Sequence, residues 1–471
     1  MNIALIETDY LVIGAGALAM AFVDTLLSED ADATVVMVDR EHRPGGHWNH
    51  AYPFVRLHQP SAWYGVASRE LASGDKDHRG ANAGLYSLAS GTEVLAHFEQ
   101  VMQQRFLPSG RVRWLPMSDY SAGPDGGHRV TSLVSGQVQE VSVRRKVVDA
   151  THARTEVPAT HPPRYALAPG VHCVSLNALA DITRPYPAYT VVGSGKTGID
   201  ACLWLLEHGA PPARIRWIMP RDSWFMDRAN FQPGLENFER NMAYSIGQFD
   251  AICEATSASD LFARLEAQGA LLRLDAQVEP TSYRCATVSR DELVLLRRIT
   301  DIVRLGRLRG IEPERIVLDQ GVLPAQVDTL YVDCSASAIQ PLPGLPVFDD
   351  RRINLFMVRF CQPLFSAALI ARVEALGGDE AEKNLLCQVV PSPAEPADWL
   401  RMWLVTLGNT MRWRQHPVLN AWLMSCRLNG QAVMARGLTA DDGARMALLK
   451  ESGVKAAAAA ARLPALVAEF A

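Results

Sequence analysis

The fold is decided near the start of the chain by the stretch Tyr10-Leu11-Val12-Ile13-Gly14-Ala15-Gly16-Ala17-Leu18-Ala19. Its first residues are mostly apolar or β-branched and predict a short strand, while the residues after the glycines predict a helix to about Leu27. A second buried strand is predicted over residues 34–38, and Asp39 stands at its end. The pattern predicts a βαβ unit with a tight glycine turn between strand and helix.

A turn of this kind has the chemistry of a dinucleotide site. Gly14 permits the tight turn, Gly16 lets backbone approach a pyrophosphate, and Ala19 allows the helix to pack closely on the strand. The N–H groups and dipole at the helix start favour phosphates, and Asp39 can accept hydrogen bonds from the adenosine ribose. A packing turn without a ligand is the alternative.

The same pattern returns at Tyr189-Thr190-Val191-Val192, which runs into Gly193-Ser194-Gly195-Lys196-Thr197-Gly198. A helix is predicted over residues 197–207 and a strand over residues 215–219. Two such turns in one chain predict two bound dinucleotides. The contacts expected at the second are Gly193, Gly195, Lys196, Thr197 and Gly198.

The composition is that of a folded chain with a small-molecule partner. Of its 471 residues, 48% are apolar and 21% charged, which excludes a disordered or collagen-like protein. The formal net charge of −5 is too small and too mixed for a nucleic-acid surface. There is no basic leader and no apolar run of about 18 residues, so we expect a cytoplasmic protein with no membrane span.

The cysteines and histidines do not suggest a metal. Eight cysteines lie singly, without a CxxC pair, and we expect all of them to be reduced thiols. His47 and His50 lie beside Trp48, but no acid or cysteine completes a ligand set at useful spacing. We therefore predict no metal site.

The rest of the chain is predicted from periodicity. Residues 144–150, 315–318 and 329–332 read as strands, and a proline-rich stretch at 158–169 reads as an interdomain connection. From about Gly234 to Leu308 the periodicity is helical and predicts a helical insertion.

Helix starts and ends are predicted in the second half. Ser289-x-x-Glu292 is a capping box for a helix over residues 293–305. After Gly377 the chain is predicted to be mainly helical. The alanine run 456–461, followed by Pro464, predicts a short surface helix.

Four motifs after the first turn resemble the FAD domain of class B flavoprotein monooxygenases, particularly the Baeyer-Villiger branch. They are Asp39-Arg40, Gly45-Gly46-x-Trp48, Tyr52-Pro53-x-x-Arg56 and Ser61-x-x-Tyr64. Residues 147–151 and 332–336 look like the family's two returns from that domain. The resemblance implies that the first turn binds FAD, with further contacts from Arg40, Gly46, His47, Trp48, Arg56 and Thr151.

The resemblance implies an α/β fold of two dinucleotide-binding, Rossmann-like domains with a helical insertion and a helical C-terminal region. The FAD domain is expected at residues 1–160 and 327–376, and the NAD(P)H domain at 161–326, with the insertion at about 234–308. The helical C-terminal region is expected at 377–471.

The second turn matches the family's nicotinamide-dinucleotide turn. Arg221 follows the next predicted strand and can pair with a 2′-phosphate, which favours NADPH. A solvated arginine is the alternative, and Asp222 keeps NADH open.

Three more residues are candidates on the flavin side. Arg228 lies near the position where Baeyer-Villiger enzymes carry an arginine beside the flavin, although a structural salt bridge with Asp227 or another acid explains it equally well. His58 can donate a hydrogen bond or relay a proton, with a structural histidine as the alternative. Gln362, before Pro363 at a predicted helix start, is a cofactor contact or an ordinary buried helix start.

Two departures from the family leave three functions open. The family's Phe-x-Gly and His fingerprint is absent at residues 171–177, and His58 stands where the Baeyer-Villiger domain has an acid. The first hypothesis is an FAD-dependent, NADPH-consuming monooxygenase that transfers oxygen from O2 to a small organic substrate through a peroxyflavin, by N- or S-oxygenation or Baeyer-Villiger insertion. The second is an NAD(P)H oxidase or acceptor reductase, and the third a flavin-binding scaffold. A homo-oligomer is compatible with each.

Overall fold

The computed structural model describes residues 4–71, 73–123, 126–152, 155–336 and 344–470. Its α-helices are α1 (Ala17–Glu29), α2 (Gly91–Val101), α3 (Leu176–Leu179), α4 (Lys196–Glu207), α5 (Phe238–Glu254), α6 (Ala258–Ala267), α7 (Arg290–Leu296), α8 (Pro363–Leu376), α9 (Glu380–Leu386), α10 (Pro396–Gln415), α11 (Pro417–Ser425), α12 (Gly430–Arg436) and α13 (Gly443–Phe470).

The strands are short except for β1 and β8. They are β1 (Ala4–Ile13), β2 (Val35–Val38), β3 (Gly65–Val66), β4 (Arg69–Glu70), β5 (Val112–Leu115), β6 (Ser118–Ala122), β7 (His128–Ser132), β8 (Val138–Asp149), β9 (Ala166–Leu167), β10 (His172–Ser175), β11 (Ala188–Val192), β12 (Ile215–Ile218), β13 (Ser223–Asp227), β14 (Leu271–Leu272), β15 (Ser282–Val288), β16 (Asp301–Val303), β17 (Leu308–Ile311), β18 (Arg315–Leu318), β19 (Gly321–Pro324), β20 (Thr329–Asp333), β21 (Phe348–Asp349) and β22 (Arg352–Asn354).

The first glycine turn belongs to a sheet in the order β21-β22-β8-β1-β2-β5, to which β7 and β6 add at β8. Strand β1 runs parallel to β2, with Tyr10 opposite Val35, and parallel to β8, with Tyr10 opposite Lys146. Helices α1 and α8 pack against each other in the core beside this sheet. The predicted strand-turn-helix-strand at residues 10–38 is confirmed, and Pro363 is the first residue of α8 as predicted.

The second glycine turn belongs to a parallel sheet in the order β10-β20-β11-β12-β16. Helix α4 connects β11 to β12, as predicted. Strand β20 pairs with β10 and β11 in this sheet. The expected division places β20, within residues 327–376, in the first domain. In the structure the chain returns to the first sheet only at β21 and β22.

The prediction of a wholly helical stretch at residues 234–308 is wrong in part. Helices α5, α6 and α7 are present, but β14, β15 and β16 lie between and after them. The capping box at Ser289 and Glu292 is confirmed, yet α7 ends at Leu296 and not at 305. Residues 301–303 instead pair with β12, because parallel sheet pairing outweighs a local helical pattern there.

The helical region after residue 377 is confirmed, but its last helix is longer and more buried than predicted. The alanine run lies within α13, which continues through Pro464 to Phe470. Ala459, Leu463 and Leu466 are fully buried in a core shared with α5, α6 and α10. This packing stabilises a helix that Pro464 would be expected to end. No helix in the described ranges is long and apolar enough to cross a membrane.

Candidate functional site between two glycine turns

The first turn is built so that backbone can lie against a ligand. Gly14 has a φ of +92°, which L side chains rarely adopt, and its N–H donates to the Val38 carbonyl at 2.8 Å. Gly16 is the N-cap of α1 and no side chain caps it. Ala19 is fully buried. Among the described residues no side chain therefore caps the first N–H groups of α1, as an anion site requires.

A second glycine pair lies directly on the first turn. The Gly45 N–H donates to the Ala15 carbonyl at 2.8 Å. Gly46 has a φ of +56°, and a Cβ placed there would lie 3.0 Å from the Gly16 Cα. The two glycine backbones thus face each other, and a side chain at Gly46 would crowd the turn.

Asp39 closes the turn from the end of β2. Its carboxylate accepts hydrogen bonds from the N–H groups of Ala15 and Glu41. Burial is the largest influence on this carboxyl and raises its pKa. Asp39 thus lies at the turn, as predicted, and its oxygens bind the protein's own backbone.

His47 and Trp48 form a wall beside the glycine pair. Trp48 is buried, stacks on His47 at 5.5 Å between ring centroids, and donates from Nε1 to the Tyr64 hydroxyl at 2.8 Å. Solvent reaches the His47 side chain, yet desolvation by the surrounding protein lowers its pKa to about 4. His47 therefore lies on the solvent-facing side of the buried Trp48.

Three other residues expected at FAD lie in ordinary protein contacts. Thr151 donates to the Asp149 carboxylate at 2.7 Å, and its methyl group lies 3.5 Å from where a Gly14 Cβ would be. Arg40 is exposed and 3.6 Å from Asp119. Arg56 is exposed and donates to the Leu88 carbonyl at 2.9 Å. Only Thr151 among these three is seen against the glycine turn.

The second turn is tight at both ends and open in the middle. A Cβ on Gly198 would lie 2.1 Å from the Gly193 carbonyl oxygen, and one on Gly193 would lie 2.4 Å from the Cys334 oxygen. No atom of the described residues lies within 4 Å of a Cβ on Gly195, which caps α4 without a side-chain bond. The open position is the one where backbone can approach a phosphate.

Lys196 and Thr197 begin α4, and an acid one turn later on this helix bonds to the first unit. The Lys196 ammonium forms an ion pair with Asp200, one helical turn later, and Tyr52 from the first unit donates to the same carboxylate. Burial and Asp200 raise the pKa of Tyr52 well above its ordinary value. Thr197 is half-buried.

His58 lies beside both Lys196 and Arg228. Burial, followed by these two cations, lowers the pKa of His58 well below its ordinary value. The imidazole is therefore neutral at neutral pH. The expectation that His58 relays a proton because it titrates near neutrality is corrected, although its neutral ring can still exchange hydrogen bonds.

Arg228 is buried with most of its donors in use. Nε donates to the His58 carbonyl at 2.9 Å, and Nη2 to the Thr287 carbonyl at 2.9 Å. Nη1 donates to Asn82 and, at 2.7 Å, to Glu292. The salt-bridge partner is therefore Glu292, while Asp227 pairs with two other arginines, Arg240 and Arg290. The two predicted catalytic residues are brought together, but the guanidinium is bound by the protein.

Three arginines come from different strands near the second sheet: Arg221 follows β12, Arg284 lies on β15, and Arg307 directly precedes β17. Desolvation, followed by the positive charges of Arg221 and Arg307, lowers the pKa of Arg284. We call these three residues the arginine cluster. Arg221 lies 3.7 Å from Glu395, and neither Arg284 nor Arg307 has an acidic partner within 4 Å in the described ranges. The cluster therefore carries more positive than negative charge, which favours an anion such as a phosphate.

Asp222, which kept NADH open, is already paired. Its carboxylate is buried and accepts two hydrogen bonds from Arg304, at 2.7 and 3.0 Å. An acid held in this way is not free to bind a ribose hydroxyl.

Gln362 is the N-cap residue of α8, and its Oε1 is buried without a hydrogen-bond partner in the described structure. A buried amide oxygen without a donor is costly. An added donor at this helix start would relieve that cost, which makes Gln362 a better candidate contact than an ordinary helix start.

The expectation that all eight cysteines are reduced is wrong for one pair. Cys285 and Cys361 form a disulfide with a Cα–Cα distance of 6.6 Å, and the other six cysteines are free. Sequence spacing could not reveal the pair, because only the fold brings residues 76 positions apart together. In the described ranges no three His, Cys, Asp or Glu side chains group as metal ligands.

The chain has relatives in mycobacteria. Uncharacterized protein Rv2000 of Mycobacterium tuberculosis and Uncharacterized protein Mb2023 of Mycobacterium bovis are each 52% identical to it over 426 residues, which is 90% of this chain and 78% of each relative. The chain belongs to their family. No model of a known protein family matches it.

Solved structures show which fold this family has. The polycyclic ketone monooxygenase of the fungus Thermothelomyces thermophila is similar over 91% of this chain and 85% of its own, with 13% identity and a TM-score of 0.52. The open crystal structure of cyclohexanone monooxygenase is similar over 79% of this chain and 87% of its own, with 14% identity and a TM-score of 0.50. The resemblance to class B flavoprotein monooxygenases is thus confirmed in the fold, and the chain is a mixed α/β protein with parallel sheets.

Several residues of the site escaped the sequence analysis. Asp200 could have been found, because Lys196 and Asp200 have the spacing of an ion pair on one helix face. Glu292 was noted only as a capping residue. Tyr52 was noted only as part of a family motif. The remaining ones, which carry no local signal, are Asn82, Arg284 and Arg307.

Proposed function

We propose that the protein is an FAD-dependent, NADPH-consuming monooxygenase that transfers one oxygen atom from O2 to a small organic substrate. The observation that carries the proposal is the pair of glycine turns, each at a helix start without a side-chain cap, with Tyr52 of the first unit bonded to Asp200 on the helix of the second. Two dinucleotide-binding, Rossmann-like domains follow from it, one on each parallel sheet. We place the first at residues 1–160 and after about 344, the second between them, and the helical region from 377.

The first turn fits FAD. A side chain at Gly46 would crowd the Gly16 backbone, and the unpartnered Oε1 of Gln362 offers an acceptor at the start of α8. The residues proposed to hold FAD are Gly14, Gly16, Ala19, Asp39, Gly46, His47, Trp48, Thr151 and Gln362, with Arg40 and Arg56 reaching it only if their side chains move.

The second turn fits NADPH better than NADH. The open face of Gly195 accommodates the pyrophosphate, and the arginine cluster offers positive charge for a 2′-phosphate. Asp222 is occupied by Arg304, which removes the acid that an NAD site would use.

Bound FAD would supply the redox chemistry, taking two electrons from NADPH and returning them to O2. The chain's own residues supply charge and exclusion of water. The start of α8 places the positive end of a helix dipole beside Gln362, which would favour negative charge on a cofactor bound there. The neutral His58, beside Lys196 and Arg228, adds a hydrogen-bonding group without a further charge.

Anaerobic reduction tests the cofactors. FAD-loaded protein is mixed with NADPH or NADH in a stopped-flow instrument, and loss of flavin absorbance is followed. We expect NADPH to bleach the flavin at least about tenfold faster at limiting concentration, from one charge-assisted contact. Absence of bound flavin, or bleaching by neither nucleotide, contradicts the proposal and leaves the scaffold hypothesis.

Oxygen transfer is tested separately. Reduced protein is exposed to isotopically labelled O2 with thioethers, tertiary amines and ketones, and products are analysed by mass spectrometry. Label in any product, at a yield tied to NADPH consumed, supports a monooxygenase.

A second function, an NADPH oxidase or acceptor reductase, is favoured by Arg228. Its donors are bound by His58, Asn82, Thr287 and Glu292, so few remain to stabilise an oxygenated cofactor. Hydrogen peroxide formed in step with NADPH, with no labelled product from any substrate, would establish this function instead.

A further inference from the structure

The disulfide joins two parts of the site that lie 76 positions apart in the sequence. Cys285 lies on β15, directly after Arg284 of the arginine cluster. Cys361 lies directly before Gln362 and the start of α8. The bond therefore connects the strand proposed to hold NADPH to the segment proposed to hold FAD.

The segment around Cys361 is anchored on several sides. The Phe360 ring stacks on Tyr283 at 6.2 Å and lies 5.5 Å from Trp403, and the Phe360 N–H donates to Thr406 at 3.0 Å. Arg359 donates to Asn429 at 3.0 Å. The disulfide is the covalent part of the link to β15, beside the ring contact between Phe360 and Tyr283.

Both cysteines have a strained backbone. The φ angles are +56° at Cys285 and +49° at Cys361, in the left-handed region that side chains other than glycine rarely occupy. The bond holds these conformations, so its loss lets both segments relax toward ordinary backbone angles.

The disulfide is also reachable. Both cysteines are only half-buried, unlike Cys202, Cys334, Cys387 and Cys426, which are buried. Accessibility distinguishes this pair from the buried thiols of the core.

We propose that Cys285 and Cys361 form a thiol–disulfide exchange site whose reduction loosens the segment that carries Gln362. An external dithiol attacks one sulfur, the Cys285–Cys361 bond breaks, and closure of the reductant's own disulfide leaves two protonated thiols on the protein. Two electrons and two hydrogens pass from the dithiol to the protein pair. The thiol–disulfide exchange does not depend on the proposed function, but its effect on FAD binding rests on it.

Alkylation and hydrogen exchange test the site without relying on activity. Folded protein, before and after dithiothreitol, is alkylated with iodoacetamide and analysed by peptide mass spectrometry. We expect a linked Cys285–Cys361 peptide before reduction, and joint alkylation of both after it. Amide exchange over residues 355–365 should become about tenfold faster in the reduced protein.

The variant Cys285→Ser/Cys361→Ser should show the amide exchange rates of the reduced protein, and dithiothreitol should not change them. Cys253→Ser, at a half-buried free cysteine, should behave as wild type. In FAD-loaded protein, reduction should raise the FAD dissociation constant about fivefold, as loss of a preorganised segment does.

The outcomes are distinguishable. Both cysteines alkylated before reduction, a bond that resists the dithiol in the folded chain, or unchanged amide exchange would each overturn the exchange site. Failure to bind FAD under every condition would overturn the proposed function and leave alkylation and amide exchange to decide the site.

Discussion

At the residue scale, Gly195 and Gly198 sit three positions apart in the second turn and face opposite surroundings. A Cβ on Gly198 meets the Gly193 carbonyl at 2.1 Å, whereas one on Gly195 meets no described atom within 4 Å. We expect Gly198→Ala to lower the free energy of unfolding by about 2 kcal/mol, from overpacking. Gly195→Ala should leave it unchanged but weaken NADPH binding by about tenfold.

Urea unfolding and calorimetric titration of NADPH check this pair, each variant serving as the other's control. Equal binding of NADPH by wild type and Gly195→Ala, at equal stability, would show that no phosphate approaches this turn.

Arg221 offers a second test at this scale, of cofactor choice. Arg221→Gln removes a charge from the arginine cluster and should raise the NADPH dissociation constant about 10–100-fold, since a charge-assisted bond contributes about 1.5–3 kcal/mol. NADH binding should stay within about twofold. Glu395→Gln, which removes the acid 3.7 Å from Arg221, is the control and should not weaken NADPH binding. Parallel loss of NADPH and NADH binding would reject a 2′-phosphate site.

At the element scale, the Arg228–Glu292 pair holds β13, the segment at Asn82 and α7 together. Both residues are buried, so removing one charge leaves the other uncompensated. Glu292→Gln keeps the packing and should lower the free energy of unfolding by about 3 kcal/mol. Asp291→Asn, on the exposed side of the same helix turn, should cost under about 1 kcal/mol.

Chemical denaturation of the two variants measures the difference. If Glu292→Gln were as stable as wild type, Arg228 would not depend on this partner, and its guanidinium would be available for the flavin side.

At the scale of the whole molecule, enclosed histidines link stability to pH. Burial lowers the pKa of His97 to about 4, and that of the half-buried His58 well below its ordinary value. Below about pH 6.5 these imidazoles therefore bind protons in the unfolded chain but not in the folded one. Stability should fall as pH drops from 6.5 toward 4, by about 1.4 kcal/mol per pH unit for each histidine.

Urea unfolding from about pH 7.5 to about pH 4.5 checks this, because that range lies on both sides of the usual histidine pKa. His97→Gln should flatten the slope because it removes one titrating imidazole. The glutamine can still accept from the Val66 N–H, which donates to His97 Nε2 at 3.3 Å. His161→Gln, at an exposed position, should leave the slope unchanged. A wild-type slope of zero would mean that these imidazoles protonate freely in the folded protein.

What the sequence by itself determined is local. The strands, glycine turns and helix starts at Gly14 and Gly193, the capping box at Ser289 and the start of α8 at Pro363 follow from backbone angles and helix capping, which a few adjacent residues decide. The motifs near Gly46 were enough to indicate the fold of flavin monooxygenases.

Only the tertiary structure decided which partners meet. Glu292 takes Arg228, Arg304 takes Asp222, Cys285 joins Cys361, and β20 pairs within the second sheet. Packing also carries α13 through Pro464. Each of these depends on residues far apart in the chain whose interaction free energy exists only once the sheets and helices are in place, so no local spacing in the sequence encodes them.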